Sequence, residues 1–232
     1  MLKKELVPLG IIAVMFAIGF YILPQLPNEV PVHFTETGLP DLFGSKLWGA
    51  LLIPLLSLTI YFFFILVPKV LIHNQKKLDF YIHHLAGLET AFFLFMFIIY
   101  LSFLILIIGY AFDIALIIAP ALSVFFYYYG YLLKFAYPGF FVAIMTPWTI
   151  RDYRVWRKTH QVGSKTFRIM AFVTFFAFLA GDYFVVVFLT PIFINVAFLI
   201  LYSRYQYQKA TKETPGRHRH QPVHRTSGKS NF

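Results

Sequence analysis

The sequence predicts an all-α integral membrane protein with six transmembrane helices, and three observations carry that prediction. Hydrophobic residues make up 59% of the chain and charged residues only 13%, against about 25% charged in a soluble domain. The apolar residues fall in runs of roughly 20, the length that crosses a bilayer as a helix. Nineteen of the twenty lysines and arginines fall on one side when successive runs cross in alternate directions, and such a bias marks the cytoplasmic face.

The crossings follow in order. Residues 5–23 form the first, too long for a signal-peptide core and without a small-residue cleavage site after it, so it is expected to be retained. Residues 47–68, 88–108 and 112–132 form the next three. From 167 to 202 the chain is apolar for too long to be one span. Gly181-Asp182 supplies the turn, giving a fifth helix over 167–180 and a sixth over 183–202. Only Lys46 lies opposite the other basic residues. Both termini are therefore expected in the cytoplasm, with the protein multi-pass in the plasma membrane. The organisation read from this is an N-terminal helical hairpin over 1–68 with a patterned extracellular loop, and a four-helix membrane region over 69–208. A disordered basic tail follows over 209–232, polar and without apolar periodicity. Topology accounts for the net charge of +10, so no direct nucleic-acid partner is expected. The bilayer is the expected environment.

Chemistry has few carriers. The chain has no cysteine, hence no disulfide, thiol nucleophile or cysteine-based zinc site. No Ser-His-acid set, HExxH or glycine-rich phosphate loop is present. The expectation is a protein that is not an enzyme and takes no cofactor. Ionisable residues within spans are functional candidates by default. Glu89, at the inner end of the third helix near His83 and His84, is the candidate buried acid.

Two stretches are patterned beyond what topology requires. Residues 24–46 carry Pro24, Pro27 and Pro31, which hold the backbone extended. A short strand is expected over 30–34, a turn over 35–38, and another turn starting at Pro40-Asp41. This is an ordered outer loop. His33, Glu36 and Asp41 lack a metal-ligand spacing, so the loop is read as structural and without metal.

The second stretch, 146–163, reads TPWTIRDYRVWRKTHQVG. Thr149 and Asp152 have the spacing of a capping box, predicting a cytoplasmic interfacial helix over about 150–161 that Gly163 ends. Tyr153, Trp156 and His160 share one face of it, and Arg151, Arg154 and Lys158 a second.

These two stretches together resemble the SdpI family of bacterial and archaeal membrane proteins. Residues 26–46 are similar to the short domain of unknown function that often precedes the SdpI region, matching at Pro31, His33, Phe34, Gly38, Pro40, Asp41, Ser45 and Lys46 among others. Residues 146–163 are similar to the family signature at Thr146, Pro147, Trp148, Thr149, Trp156, Lys158, Thr159, His160 and Gly163. Just upstream the chain departs from the family. It has Gly139 at an asparagine position, Ala143 at a glycine and Met145 at an arginine, and methionine replaces none of the arginine's donors. The resemblance implies a membrane immunity and sensor protein that binds a secreted peptide toxin and recruits a cytoplasmic repressor. In that reading the outer loop faces the toxin, and the nine inner residues make the partner-binding surface. The alternative is a small membrane transporter or lipid-handling protein, its path formed by the proline-bearing helices with Pro54, Pro120 and Pro191.

Overall fold

The computed structural model describes residues 2–34, 40–71, 75–110, 112–138 and 142–213. Its elements are α1 (Leu2–Ile22), β1 (Glu29–Phe34), β2 (Pro40–Ser45), α2 (Lys46–Leu71), α3 (Gln75–Ile107) and α4 (Ala115–Leu132), then α5 (Pro147–Arg151), α6 (Tyr153–Phe175) and α7 (Phe184–Glu213). Five stretches are long and apolar enough to cross a membrane, and the fifth, Tyr153–Glu213, spans 61 residues. It holds α6 and α7, joined by a 3-10 segment (Phe176–Tyr183) in which Gly181 takes φ 54°, a left-handed conformation that glycine adopts without a Cβ penalty. The chain reverses there and α7 packs back along α6, so the apolar segments make six crossings, with the turn at the Gly181-Asp182 pair that the sequence points to.

The helices form two groups of three. In the first, α1, α2 and α3 pack on one another; in the second, α6 packs against both α4 and α7. The seam between the groups is α3 against α4. It is tight. A Cβ on Gly87 of α3 would collide with the Tyr128 hydroxyl of α4, and Leu85, Leu88 and Leu132 form a buried cluster beside it. Lipid chains are as apolar as leucine, so close backbone approach and interhelical hydrogen bonds hold such bundles together. The same device recurs within each group. Gly19 of α1 lets the Ala50 carbonyl of α2 approach, and the buried Tyr100 of α3 donates to that carbonyl over 2.9 Å. In the second group, Ser123 of α4 and Thr174 of α6 share a buried hydrogen bond of 3.0 Å.

In the 24–46 loop the strand expected over 30–34 is present, Pro40–Ser45 is a strand where a second turn was expected, and the turn expected over 35–38 lies outside the described residues. β1 and β2 pair antiparallel, with irregularities at His33 that keep Pro31 opposite Phe43. Val30 anchors the hairpin to the membrane helices: it is fully buried with Leu26 and Ala50, and its Cγ2 would lie 2.5 Å from a Cβ on Gly49. The Lys46 amide donates to the Asn28 carbonyl over 3.1 Å, closing the base.

Three further boundaries differ from the sequence reading. The interfacial helix does not end at Gly163: α6 runs unbroken from Tyr153 to Phe175, because Gly163 serves close packing there and not a turn. The capping pair also shifts. Thr146 and Thr149 make the reciprocal box that starts α5. Pro147, with φ fixed and no amide hydrogen, belongs at the first helical position, which makes Thr146 the cap. Asp152 caps α6 instead. Finally α7 continues to Glu213, so residues 209–213 are helical where tail was expected; residues 214–232 lie outside the described set.

Candidate functional site

Where the TPWT segment meets α6 and α7, the structure closes a buried polar knot. Thr146 Oγ1 accepts from the Thr149 amide at 3.2 Å, and Thr149 Oγ1 accepts from the Thr146 amide at 2.8 Å. Thr149 passes its own proton to the Ile144 carbonyl at 2.9 Å. Thr146 donates to Ser203 Oγ of α7 at 3.0 Å, and Ser203 donates to the Ile200 carbonyl at 2.8 Å. Each hydroxyl gives one proton and accepts one or more, which is how buried hydroxyls avoid the desolvation penalty.

His160 closes the other side of the knot. Its Nε2 accepts from the Ile144 amide at 2.9 Å, and its Nδ1 lies 2.8 Å from the Trp156 carbonyl. A backbone amide only donates and a carbonyl only accepts, so this arrangement fixes the neutral ring with the proton on Nδ1. The imidazole stacks on the Trp156 indole, centroids 4.2 Å apart, while the indole N–H donates to the Ala136 carbonyl at 3.0 Å. Gly163, one turn further, leaves room for Ile144: a Cβ there would lie 2.5 Å from Ile144 Cδ1. The segment before α5 is thus tied to α6 by His160, Trp156 and Gly163 together. Two more hydroxyls on α6, Thr159 and Ser164, are buried without a hydrogen-bond partner among the described residues.

Asp152, itself buried, borders the knot. The break between α5 and α6 falls at its extended backbone (φ −140°, ψ 119°). Its Oδ1 accepts from the Arg154 amide at 2.7 Å, and its Oδ2 pairs with the Arg154 guanidinium at 2.9 Å. Burial acts to raise the Asp152 pKa. The hydrogen bonds from Arg154's side chain and backbone, with its charge, outweigh burial and leave it below the usual carboxylate value.

This geometry changes the role expected of the inner residues. Thr146, Thr149, Trp156, Thr159, His160 and Gly163 are buried, and only Pro147, Trp148 and Lys158 of the nine reach the surface. The buried six are in no position to touch a partner; they shape the segment that carries the exposed ones. Spacing put Tyr153, Trp156 and His160 on one face; Trp156 and His160 turn inward against the segment at Ala136 and Ile144, whereas Tyr153, at the start of α6, is exposed. The exposed surface around the knot is basic: Arg151, Arg157, Lys158, Lys165, Arg204 and Lys209. Lys158 reaches Gln206 of α7 at 3.4 Å. Ser203 is a knot member that sequence reasoning missed, because a lone serine on an apolar helix has no distinguishing pattern. Met145, at the family's arginine position, is exposed, so the departure removes a surface group and leaves the knot whole. Ala143 packs at the seam cluster, and Gly139 lies outside the described residues.

On the hairpin, His33 Nδ1 and Asp41 Oδ1 are 2.7 Å apart on exposed side chains. Among the described residues no cluster of three or more potential metal ligands exists. Pro31 is half-buried, while Pro40 and Ser45 are exposed and Lys46 is half-buried at the start of α2. Gly38 and the side chain of Phe34 lie outside the described residues. Glu89 is half-buried at the seam-bearing part of α3; the side chains of His83 and His84 also lie outside the described set. Asn195, buried on α7, donates to Met170 Sδ at 3.7 Å.

Comparison with known proteins meets both elements. The family model for the domain of unknown function DUF1648 matches residues 10–58, which run from Gly10 within α1 through β1 and β2 to the first half of α2. The model for the SdpI/YfhL protein family matches residues 138–203, from the loop before the knot to Ser203. The immunity protein SdpI of Bacillus subtilis (strain 168) is 24% identical over 209 residues, covering 90% of this chain and 98% of that protein. The chain thus resembles the SdpI family through residues 138–203 and this immunity protein over nearly its whole length. No solved structure matches. The SdpI match begins just before the segment that His160 and Gly163 hold and ends at the serine that Thr146 bonds, so its limits coincide with those of the knot. The α3–α4 pair lies between the two matched regions, belonging to neither.

Proposed function

We propose that this chain is a membrane-embedded immunity and sensor protein. The observation that carries the reading is its alignment, over nearly the whole of both chains, with a protein named for immunity. In this reading a secreted peptide toxin meets the hairpin side of the membrane. A cytoplasmic repressor docks on the basic side, where exposed arginines and lysines surround Trp148. Arginine and tryptophan are frequent anchors of protein interfaces, and the buried knot gives them a rigid support. Orientation with both termini in the cytoplasm follows from the lysine and arginine bias. The function is binding, without catalysis or cofactor.

The test is loss and restoration of resistance. Deleting the gene from its own host should make the cells sensitive to peptides in their own spent medium, and a plasmid copy should restore growth. Unchanged growth of the deletion strain in that medium would overturn the immunity reading. Recruitment is tested separately, by following a fluorescently tagged small winged-helix repressor from the same gene neighbourhood. Arg151→Glu with Lys158→Glu should release it from the membrane while the protein still inserts.

A further inference from the structure

The hairpin carries an apolar surface that the immunity reading does not use. Leu42 and Phe43 of β2 are each 58% exposed, although strand neighbours point to opposite faces. Two and three residues after β2 ends, Leu47 and Trp48 in the first turn of α2 are also exposed. On the other strand Val30 is buried and Pro31 and Val32 half-buried, so β1 lies against the helices and β2 lies outward. A polar strand would be expected at an outward edge bathed in water.

The level of this patch is marked by the other connections on the same side of the membrane. Tyr21 in the last turn of α1, Tyr110 after α3 and Tyr183 before α7 are all exposed by 70% or more. With Trp48 they place at least one large amphipathic ring at each of the three connections on the hairpin side, among the described residues. Tryptophan and tyrosine collect at headgroup depth because the ring body is apolar and the N–H or O–H is wet. Trp48 is therefore an interfacial residue, and the Leu42–Phe43 edge is joined to it by a short, hydrogen-bonded base. The acid on this strand, Asp41, lies within hydrogen-bond distance of His33 Nδ1, which reduces the penalty of holding it near hydrocarbon.

We propose that the hairpin lies along the bilayer and does not project from it. Leu42 and Phe43, continuous with the lipid-facing Leu47 and Trp48, seat in the headgroup region of the leaflet on the hairpin side. The occupant of the patch is lipid. The hairpin then acts as an interfacial anchor, and a peptide arriving from the membrane surface would meet it at lipid level. This inference does not rest on the immunity reading.

The absence of cysteine makes the test direct. Single cysteines replace Leu42, Phe43 or Trp48 in the full chain, are labelled with a nitroxide, and are reconstituted in phosphatidylcholine vesicles. Collision rates with oxygen and with a water-soluble nickel chelate give depth. Ile194→Cys, on an exposed part of α7, is the lipid reference, and Lys212→Cys near its end is the water reference. The expected result is oxygen-favoured collision at 42 and 43, at a depth matching 48 and shallower than 194. Labels at 42 and 43 that read like 212 would overturn the proposal, and so would labels shielded from both reagents, which would mean protein covers the patch. As a second measurement that avoids the label, Phe43→Trp in a Trp48→Phe background should gain fluorescence quenched by lipids brominated near the headgroup. Absence of that quenching would equally overturn it.

Discussion

The Ile144 amide donates to Nε2 of His160 across 2.9 Å, and this bond ties the segment before α5 to the helix that follows. It requires a neutral imidazole, since a protonated ring has no acceptor. Nitrogen NMR of ring-labelled protein should show the proton on Nδ1 and none on Nε2 at neutral pH. His160→Ala strands a donor that costs about 1–3 kcal/mol when left unsatisfied. Thermal unfolding in detergent should fall accordingly, with six-span insertion retained. An unchanged melting temperature would show that the bond does not hold the segment.

Gly163 and Ile144 should behave as a coupled pair. Adding a Cβ at 163 puts it 2.5 Å from Ile144 Cδ1, the movable end of a side chain. Gly163→Ala should destabilise by about 1–3 kcal/mol, the range for overpacking. Ile144→Val removes the opposing atom, so the double variant should recover most of the loss. A double-mutant cycle reads the coupling; simple additivity would contradict the close approach.

Asp152 supplies a pH dependence whose sign is fixed. Its folded pKa lies below the usual value, so its ionised form favours the folded state. That stability is fully present above the unfolded carboxylate value and is lost as pH falls through the lower, folded value. Asp152→Ala should cost about 1 kcal/mol near neutrality, as loss of a helix cap does. The gap between variant and parent should narrow in acid. A gap that is constant with pH would show that the charge contributes nothing.

The His33 and Asp41 pair should matter little to stability. Both side chains are substantially exposed, and exposed ion pairs contribute about 0–1 kcal/mol. His33→Ala and Asp41→Asn should each leave the melting temperature nearly unchanged and bind no less metal than the parent. Stoichiometric metal lost on either substitution would overturn the structural reading of the hairpin.

Span number, the turn at Gly181 and the extended chain over 30–34 were legible because long apolar runs and prolines act locally. The second strand was not, since Pro40-Asp41 and Gly44 read as turn residues, and only pairing with β1 makes them extended. Within the inner motif, the spacing of Trp156 and His160 gave their common face. Whether that face met water or protein depended on Ala136 and Ile144, which precede it by 16 to 20 residues, and on Ser203 far downstream. Those partners are set by tertiary packing, so the motif read as surface although most of it is buried. Gly163 illustrates the same limit: a glycine that ends a helix and one that admits a neighbour look alike in a sequence.

The contact of Gly87 with Tyr128 gives the molecule a narrow waist. The two matched regions sit on opposite sides of it, and helix packing between them converges on α3 and α4. Among the described residues, the two halves meet mainly along that pair of helices. A side chain added at 87 has to displace Tyr128, and with it the fit of one half against the other.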